Sequence, residues 1–237
     1  MQQNTMQAST ESNQTIIKVD IIGGFQDADK TEFVKRFQEY MIAGSEKAVI
    51  PKLEKKGCLC CTNPDQFVQS IQDIRTKERP DRILLEIGGT VKLTDIRSVF
   101  AQKELAQYFT IEHELFLLDI TEYEKRKLIS ERFLTEQLTD AILICVKRQS
   151  ELDKKQRTQI YQDIKQCNPQ VTLKDKDWRT YSGTEFEKIW KENANKFQKL
   201  ERKIHAVFRK IPINQLTSKA NEQTDLNLQI YEEFNDW

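Results

Sequence analysis

Three of the five cysteines in this 237-residue chain fall inside one hexapeptide, Gly57-Cys58-Leu59-Cys60-Cys61-Thr62. Thiolates this close select soft ions such as zinc or copper(I) over hard cations, which makes Cys58, Cys60 and Cys61 candidate metal ligands. Gly57 suits the sharp turn that lets neighbouring sulfurs converge. Two plainer roles stay open, a disulfide and buried unreactive thiols. A bridge between the adjacent Cys60 and Cys61 is strained, and nothing in the sequence suggests export to an oxidising compartment. The fourth ligand is open among water, Glu54, Asp65 and a second subunit. Binding needs thiolates, so affinity should fall in acid.

A second constellation precedes the first. Gly24-Phe25-Gln26-Asp27-Ala28-Asp29-Lys30-Thr31 is an altered copy of the phosphate-binding pattern G-x-x-x-x-G-K-[ST], with Gly24, Lys30 and Thr31 where the pattern needs them. Asp29 stands at the second glycine position and Asp27 two residues before it. Such loops aim backbone N–H groups at phosphate oxygens, so two carboxylates there repel a polyanion unless Lys30 or another cation neutralises them. The competing reading is a plain strand-to-helix turn in which Asp29 or Asp27 caps the helix. Further on, Arg82-Ile83-Leu84-Leu85-Glu86-Ile87 is an apolar run with an acid near its end. Glu86 is a candidate for holding a water or a metal ion, or else an acid that simply emerges where a strand stops.

Elements that could position these groups follow from hydrophobic patterning. Strands are expected at 16–22, 82–87, 114–120, 141–146 and 170–173, with a short one at 48–51. Helices are expected after the phosphate loop around Phe33, Phe37, Tyr40 and Met41, from Pro64-Asp65 to about residue 79, around 96–109, and at 122–138 and 152–167. Strands separated by helices of this length imply parallel βαβ units and an α/β fold, a mostly parallel sheet with helices on both faces. An amphipathic helix over 184–211, with Lys and Arg on its outer face, begins a C-terminal extension that Pro212 interrupts. Residues 1–15, rich in Gln, Asn, Ser and Thr, read as a disordered leader, 16–183 as the main domain and 184–237 as helix and tail.

Thirty-seven basic and thirty-seven acidic residues leave zero formal charge, so no basic excess argues for nucleic acid or an anionic membrane surface. No apolar run approaches the roughly 20 residues that span a bilayer. The first residues lack the basic start and apolar block of a signal peptide, which points to the cytoplasm. His113 and His205 are expected to be structural. Cys145 reads as core and Cys167 as a helix end, and neither is given a role.

Taken in order, the phosphate loop, Gly-Cys-x-Cys-Cys-Thr and a strand ending in Glu resemble the SIMIBI-class P-loop GTPases, and more narrowly the CobW-type metallochaperones. Gly24-Phe25, Ala28 and Lys30-Thr31 fit that family's G-F-x-G-A-G-K-T, Gly57 to Thr62 fits its cysteine motif, and Glu86-Ile87-Gly88-Gly89 fits its E-x-x-G. Leu118-Asp119, Asp140-Ala141-Ile142-Leu143 and Asn168-Pro169 resemble later family stretches, so the likeness covers roughly residues 16–190. It implies a nucleotide-binding α/β domain in which Gly24, Ala28, Lys30, Thr31 and Glu86 face GTP and Mg(II). It also implies Cys58, Cys60 and Cys61 as a Zn(II) site and a client protein that receives the metal.

The departures all weaken nucleotide chemistry. Asp27 and Asp29 replace glycines, Leu93 replaces the usual proline, and Lys147-Arg148-Gln149 stands where the guanine-reading Asn-Lys-x-Asp belongs. The interval from Thr31 to Cys58 is short for a switch segment. Phosphoryl transfer is almost wholly positioning and charge neutralisation, so efficient GTP hydrolysis is not expected. The sequence supports a metal-binding chaperone with weak or lost hydrolysis. Its alternatives are a working GTPase in which nucleotide gates metal release, and a non-catalytic scaffold that binds partners through the 184–211 helix.

Overall fold

The computed structural model describes residues 15–41, 47–51 and 64–193. Among these residues six strands lie in one all-parallel sheet in the order β2-β3-β1-β4-β5-β6: β1 (Ile17–Gly24), β2 (Ala48–Val49), β3 (Arg82–Glu86), β4 (Phe109–Asp119), β5 (Leu143–Lys147) and β6 (Thr172–Lys174). The intervening helices are α1 (Lys30–Met41), α2 (Pro64–Lys77), α3 (Leu93–Phe100), α4 (Lys103–Ala106), α5 (Tyr123–Asp140) and α6 (Lys154–Cys167), and α7 covers described residues 183–193. None of the described helices is long and apolar enough to cross a membrane.

β1 occupies the middle of the sheet, and its side chains alternate between two helical layers. On one side Ile22, Leu84, Leu115, Leu117 and Cys145 pack with Phe33, Val34 and Phe37 of α1 and with Trp178, Phe186 and Trp190. Phe116 points the other way, where its ring meets Phe25 edge-on at 5.4 Å, and Phe25 in turn meets Phe133 of α5. Each fully buried Phe of this kind stabilises the fold by about 1.5–3 kcal/mol.

α7 is fastened to the sheet at two points. The Trp190 ring lies between Phe37, 3.9 Å away between centroids, and His113, 3.8 Å away. The Asn193 amide accepts from the Glu114 N–H at 2.9 Å and donates to the Glu114 carbonyl at 2.5 Å. β4 pairs with β5 only from Phe116 onward, so this one side chain supplies hydrogen bonds that a strand would otherwise make.

Several expected boundaries move, for local reasons. The helical stretch expected over 96–109 is instead α3 and α4, and β4 starts at Phe109, five residues before Glu114. Phe109 and Ile111 are buried while Thr110 between them is exposed, the alternation of a half-buried strand, which a search for continuous apolar runs passes over. Between Val19 and Asp20 the register with β4 slips, leaving Glu112 as an extra residue. α5 breaks at Ser130 (φ −162°, ψ 92°), whose hydroxyl accepts from the Phe133 N–H and caps the second half of the helix. The Asn168 amide donates to the carbonyls of Leu138, Thr139 and Ala141, closing the end of α5, and β6 begins at Thr172 after that turn. Of the expected 184–211 helix, the part beyond residue 193 lies outside the described residues.

Candidate functional site at the C-terminal edge of the sheet

In a parallel sheet the loops after each strand gather at one edge, and the crevice beside the strand where the order reverses is the usual ligand position. Here that strand is β1, and the loop leaving it is Gly24 to Thr31. Gly24 has φ 143°, and a Cβ on it would lie 2.6 Å from the Leu117 carbonyl, so glycine is required there. Gln26–Ala28 form a single 3₁₀ turn in which the Ala28 N–H is spent on the Phe25 carbonyl at 3.1 Å. Asp29 then takes the left-handed conformation, φ 54° and ψ 41°, before α1 starts at Lys30. The backbone keeps a glycine-like path at a residue that is not glycine, which aspartate tolerates better than most side chains.

The loop brings Gly24, Ala28, Lys30, Thr31 and Glu86 together. Thr31 Oγ1 lies 2.9 Å and 3.1 Å from the two Glu86 carboxylate oxygens and donates to that group. Lys30 is buried, and its Nζ donates to the carbonyls of Gly24 at 2.9 Å and Phe25 at 2.8 Å. Burial pushes the Lys30 ammonium pKa down, against the pull of the nearby Glu86 carboxylate. Gly89 completes the floor. A Cβ on it would sit 3.0 Å from Phe25 Cα and 3.1 Å from the Gln26 nitrogen.

Neither aspartate is left to repel a ligand alone. Asp27 forms an ion pair with Arg126 of α5, whose guanidinium also lies 4.0 Å from the centre of the Phe25 ring. Asp29 meets Lys147, the last residue of β5, at 2.5 Å. Lys147 is buried and also lies 3.3 Å from Asp119, which receives Arg148 at 3.0 Å. The aspartates act as partners of distant cations, in place of the helix-cap role that one reading assigned them.

Beyond Lys147 the loops after β5 and β6 are tied together. Asp177 accepts from the Arg148 backbone N–H at 2.8 Å and from Arg179 Nη2 at 2.6 Å. Burial would raise the Asp177 carboxyl pKa, but hydrogen bonds from Arg179 and the Arg148 backbone hold it below the ordinary aspartate value of 3.8. Asp119 behaves alike: burial opposes ionisation, and Thr121, Lys147 and Arg148 outweigh it. Along this rim Asp27, Asp29, Glu86, Asp119, Glu151 and Asp177 face Lys30, Arg126, Lys147, Arg148 and Arg179, so among the described residues no cationic excess is left for a polyanion.

Cys58, Cys60, Cys61 and Glu54 lie outside the described residues, while Asp65 stands exposed in the first turn of α2. Sequence reading passed over Arg126 and, deeper in the sheet, the group formed by Asp20, Arg82 and Glu112. Asp20, Glu112 and His113 bring ligand atoms within 4.8 Å of one another, but Arg82 holds Asp20 at 2.6 Å and Glu112 at 2.5 Å. His113 Nδ1 lies 2.7 Å from Asp20. Already neutralised by a guanidinium, the two acids make a structural cluster. Its only sequence signal is a carboxylate inside the apolar strand run 16–22, which must be paired if buried.

The model of the CobW/HypB/UreG nucleotide-binding domain matches residues 32–174, more than half of the chain. The chain belongs to this family. The matched span of this CobW/HypB/UreG domain begins just after Thr31, so the altered loop lies outside it. Among solved structures the domain is similar to the Zn(II)-bound YjiA GTPase from E. coli, with 16% identity over 72% of this chain and 62% of that one and a TM-score of 0.50. A Zn(II)-bound triple mutant of YjiA, two of whose substitutions replace cysteines, aligns with 15% identity over 72% and 62% and a TM-score of 0.51. The hydrogenase maturation factor HypB from Archaeoglobus fulgidus aligns with 18% identity over 73% of this chain and 86% of that one, at a TM-score of 0.48. This chain spans about 62% of the length of the YjiA chains. No curated protein sequence matches it.

Proposed function

We propose that this CobW/HypB/UreG-family protein binds a thiophilic metal ion, Zn(II) in the first instance, through Cys58, Cys60 and Cys61. It hands the ion to a client protein by thiolate exchange in the cytoplasm, and its phosphate loop turns over GTP weakly or not at all. One contrast carries the reading. The cysteine motif is complete in sequence, whereas Asp27 and Asp29 stand in the phosphate loop, each matched by a cation of the chain itself.

A triphosphate does not fit this loop as it stands. Lys30 is spent on two loop carbonyls, the Ala28 N–H is turned inward, and the Asp29 carboxylate stands at the mouth, half exposed. The metal is cargo. Three thiolates grip a soft ion while leaving a coordination position through which a client thiol or imidazole can enter.

Native mass spectrometry of the purified full chain tests the metal half. A YjiA variant lacking two cysteines is still described as Zn(II)-bound, so metal content alone does not locate a site. Cobalt(II) substitution adds the location, because thiolate ligation gives a charge-transfer band. Wild type should hold one ion and show the band, and Cys58→Ser should lose both. Equal metal and equal spectra in the two proteins would defeat the reading.

A second reading, a GTPase in which nucleotide gates metal release, draws on the contact of Thr31 with Glu86, a hydroxyl and a carboxylate placed as ligands for Mg(II). Calorimetry with Mg-GTP separates the two. The first expects weak or no binding heat from wild type and indifference to Lys30→Ala.

A further inference from the structure

We infer that Asp27 and Asp29 are built-in counter-anions that plug a latent polyphosphate site formed by Lys30, Arg126 and Lys147, and that these two carboxylates decide which ligands the edge excludes. The inference deepens the reading that this loop has lost its nucleotide and rests on it.

Three observations carry it. The backbone keeps glycine-like features at the loop: Asp29 holds φ 54°, and Gly24 and Gly89 pack against backbone where a Cβ would clash. The cations come from elsewhere in the chain and converge on the loop. Lys147 reaches it across the end of β4, meeting Asp29 at 2.5 Å and Asp119 at 3.3 Å, while Arg148 shares Asp119 and is also held by Glu151 at 2.9 Å. Asp29 is the one of these acids that belongs to the loop.

The third observation is that the Asp27 plug fits imperfectly. Its ion pair with Arg126 is made by Oδ1 alone, and Asp27 Oδ2 and Arg126 Nε are both buried without a hydrogen-bond partner. A guanidinium is built for two parallel bonds to one anion, and a buried donor left unmade is costly. A tetrahedral oxyanion that reached Nε and Nη2 together would satisfy Arg126 better than the one carboxylate oxygen does. The ligand class is therefore a linear polyphosphate, free or as the tail of a nucleotide, admitted once the carboxylates are gone.

Isothermal titration of the full chain with inorganic tripolyphosphate, and separately with Mg-GTP, tests this. Wild type should give weak or no binding heat with either. The double variant Asp27→Asn/Asp29→Gly should bind tripolyphosphate at least about tenfold more tightly than wild type or its detection limit, since two carboxylates that oppose a polyanion are gone. Adding Lys147→Gln should abolish the gain. Glycine at 29 suits the left-handed backbone, and Asp29→Asn alone, which also suits it, serves if the double variant fails to fold, with a smaller gain expected. A folded variant that binds no better than a weakly binding or silent wild type overturns the inference and leaves the reading of weak or lost nucleotide use intact. Tight binding by wild type overturns both.

Discussion

The Lys147 ammonium lies between two carboxylates, 2.5 Å from Asp29 and 3.3 Å from Asp119, so one buried cation ties the phosphate loop to the ends of β4 and β5. Asp119 is buried while Asp29 is half exposed and well screened, so the loss on removing Lys147 falls mainly on Asp119. Lys147→Met should destabilise the fold by about 2–4 kcal/mol, because it leaves the buried Asp119 carboxylate with the partly exposed Arg148 as its remaining ion-pair partner beside the hydrogen bonds from Thr121. Urea unfolding measures it, and an unchanged midpoint would show that the contact is incidental.

Asp20 is fully buried and bonded to both Arg82 and His113. Removing one partner of a buried pair strands the other, so Asp20→Ala should cost about 3–5 kcal/mol. Asp20→Asn, which keeps an acceptor, should cost less. Equal midpoints for Asp20→Ala and wild type would mean that Arg82 is satisfied without it.

Two neighbouring glycines offer an internal control. A Cβ at Gly89 meets the backbone of Phe25 and Gln26 at 3.0–3.1 Å, whereas one at Gly88 meets only Val91 Cγ2 at 3.9 Å. Gly89→Ala should therefore destabilise by about 1–3 kcal/mol by pushing the loop. Gly88→Ala should stay within about 0.5 kcal/mol. Thermal melts of the two variants should separate, and coincident melts would refute the close packing of Gly89.

Acid should weaken the rim. The Asp119 and Asp177 carboxyls titrate below 3.8 in the folded chain, so the unfolded chain binds protons first as pH falls. Their contribution is present in full above the unfolded value and is lost as pH drops through the folded ones. Urea midpoints should therefore decline from about pH 5 downward. Asp177→Asn should flatten that decline, and a slope identical to wild type would count against Asp177.

The α/β class was legible because strand runs and helix spacing are local signals, and the glycine positions of the loop were legible as a motif. β4 shows where that reading stops. Its first five residues owe their strand state to pairing with β1, and their alternation of buried and exposed side chains is too short to stand out in sequence. The cluster of Asp20, Arg82 and Glu112 was hidden likewise, since only the register between β1, β3 and β4 brings the three together.

By itself the sequence determined the order of elements, the cysteine hexapeptide and the two carboxylates in the phosphate loop, because composition and short spacing are properties of neighbouring residues. Only the tertiary structure decided what those carboxylates do. Arg126 stands 99 residues from Asp27 and Lys147 118 residues from Asp29, and parallel crossovers bring all four to one edge of the sheet. A charge read in the chain has a sign, but its consequence depends on the counter-charge that folding delivers to it.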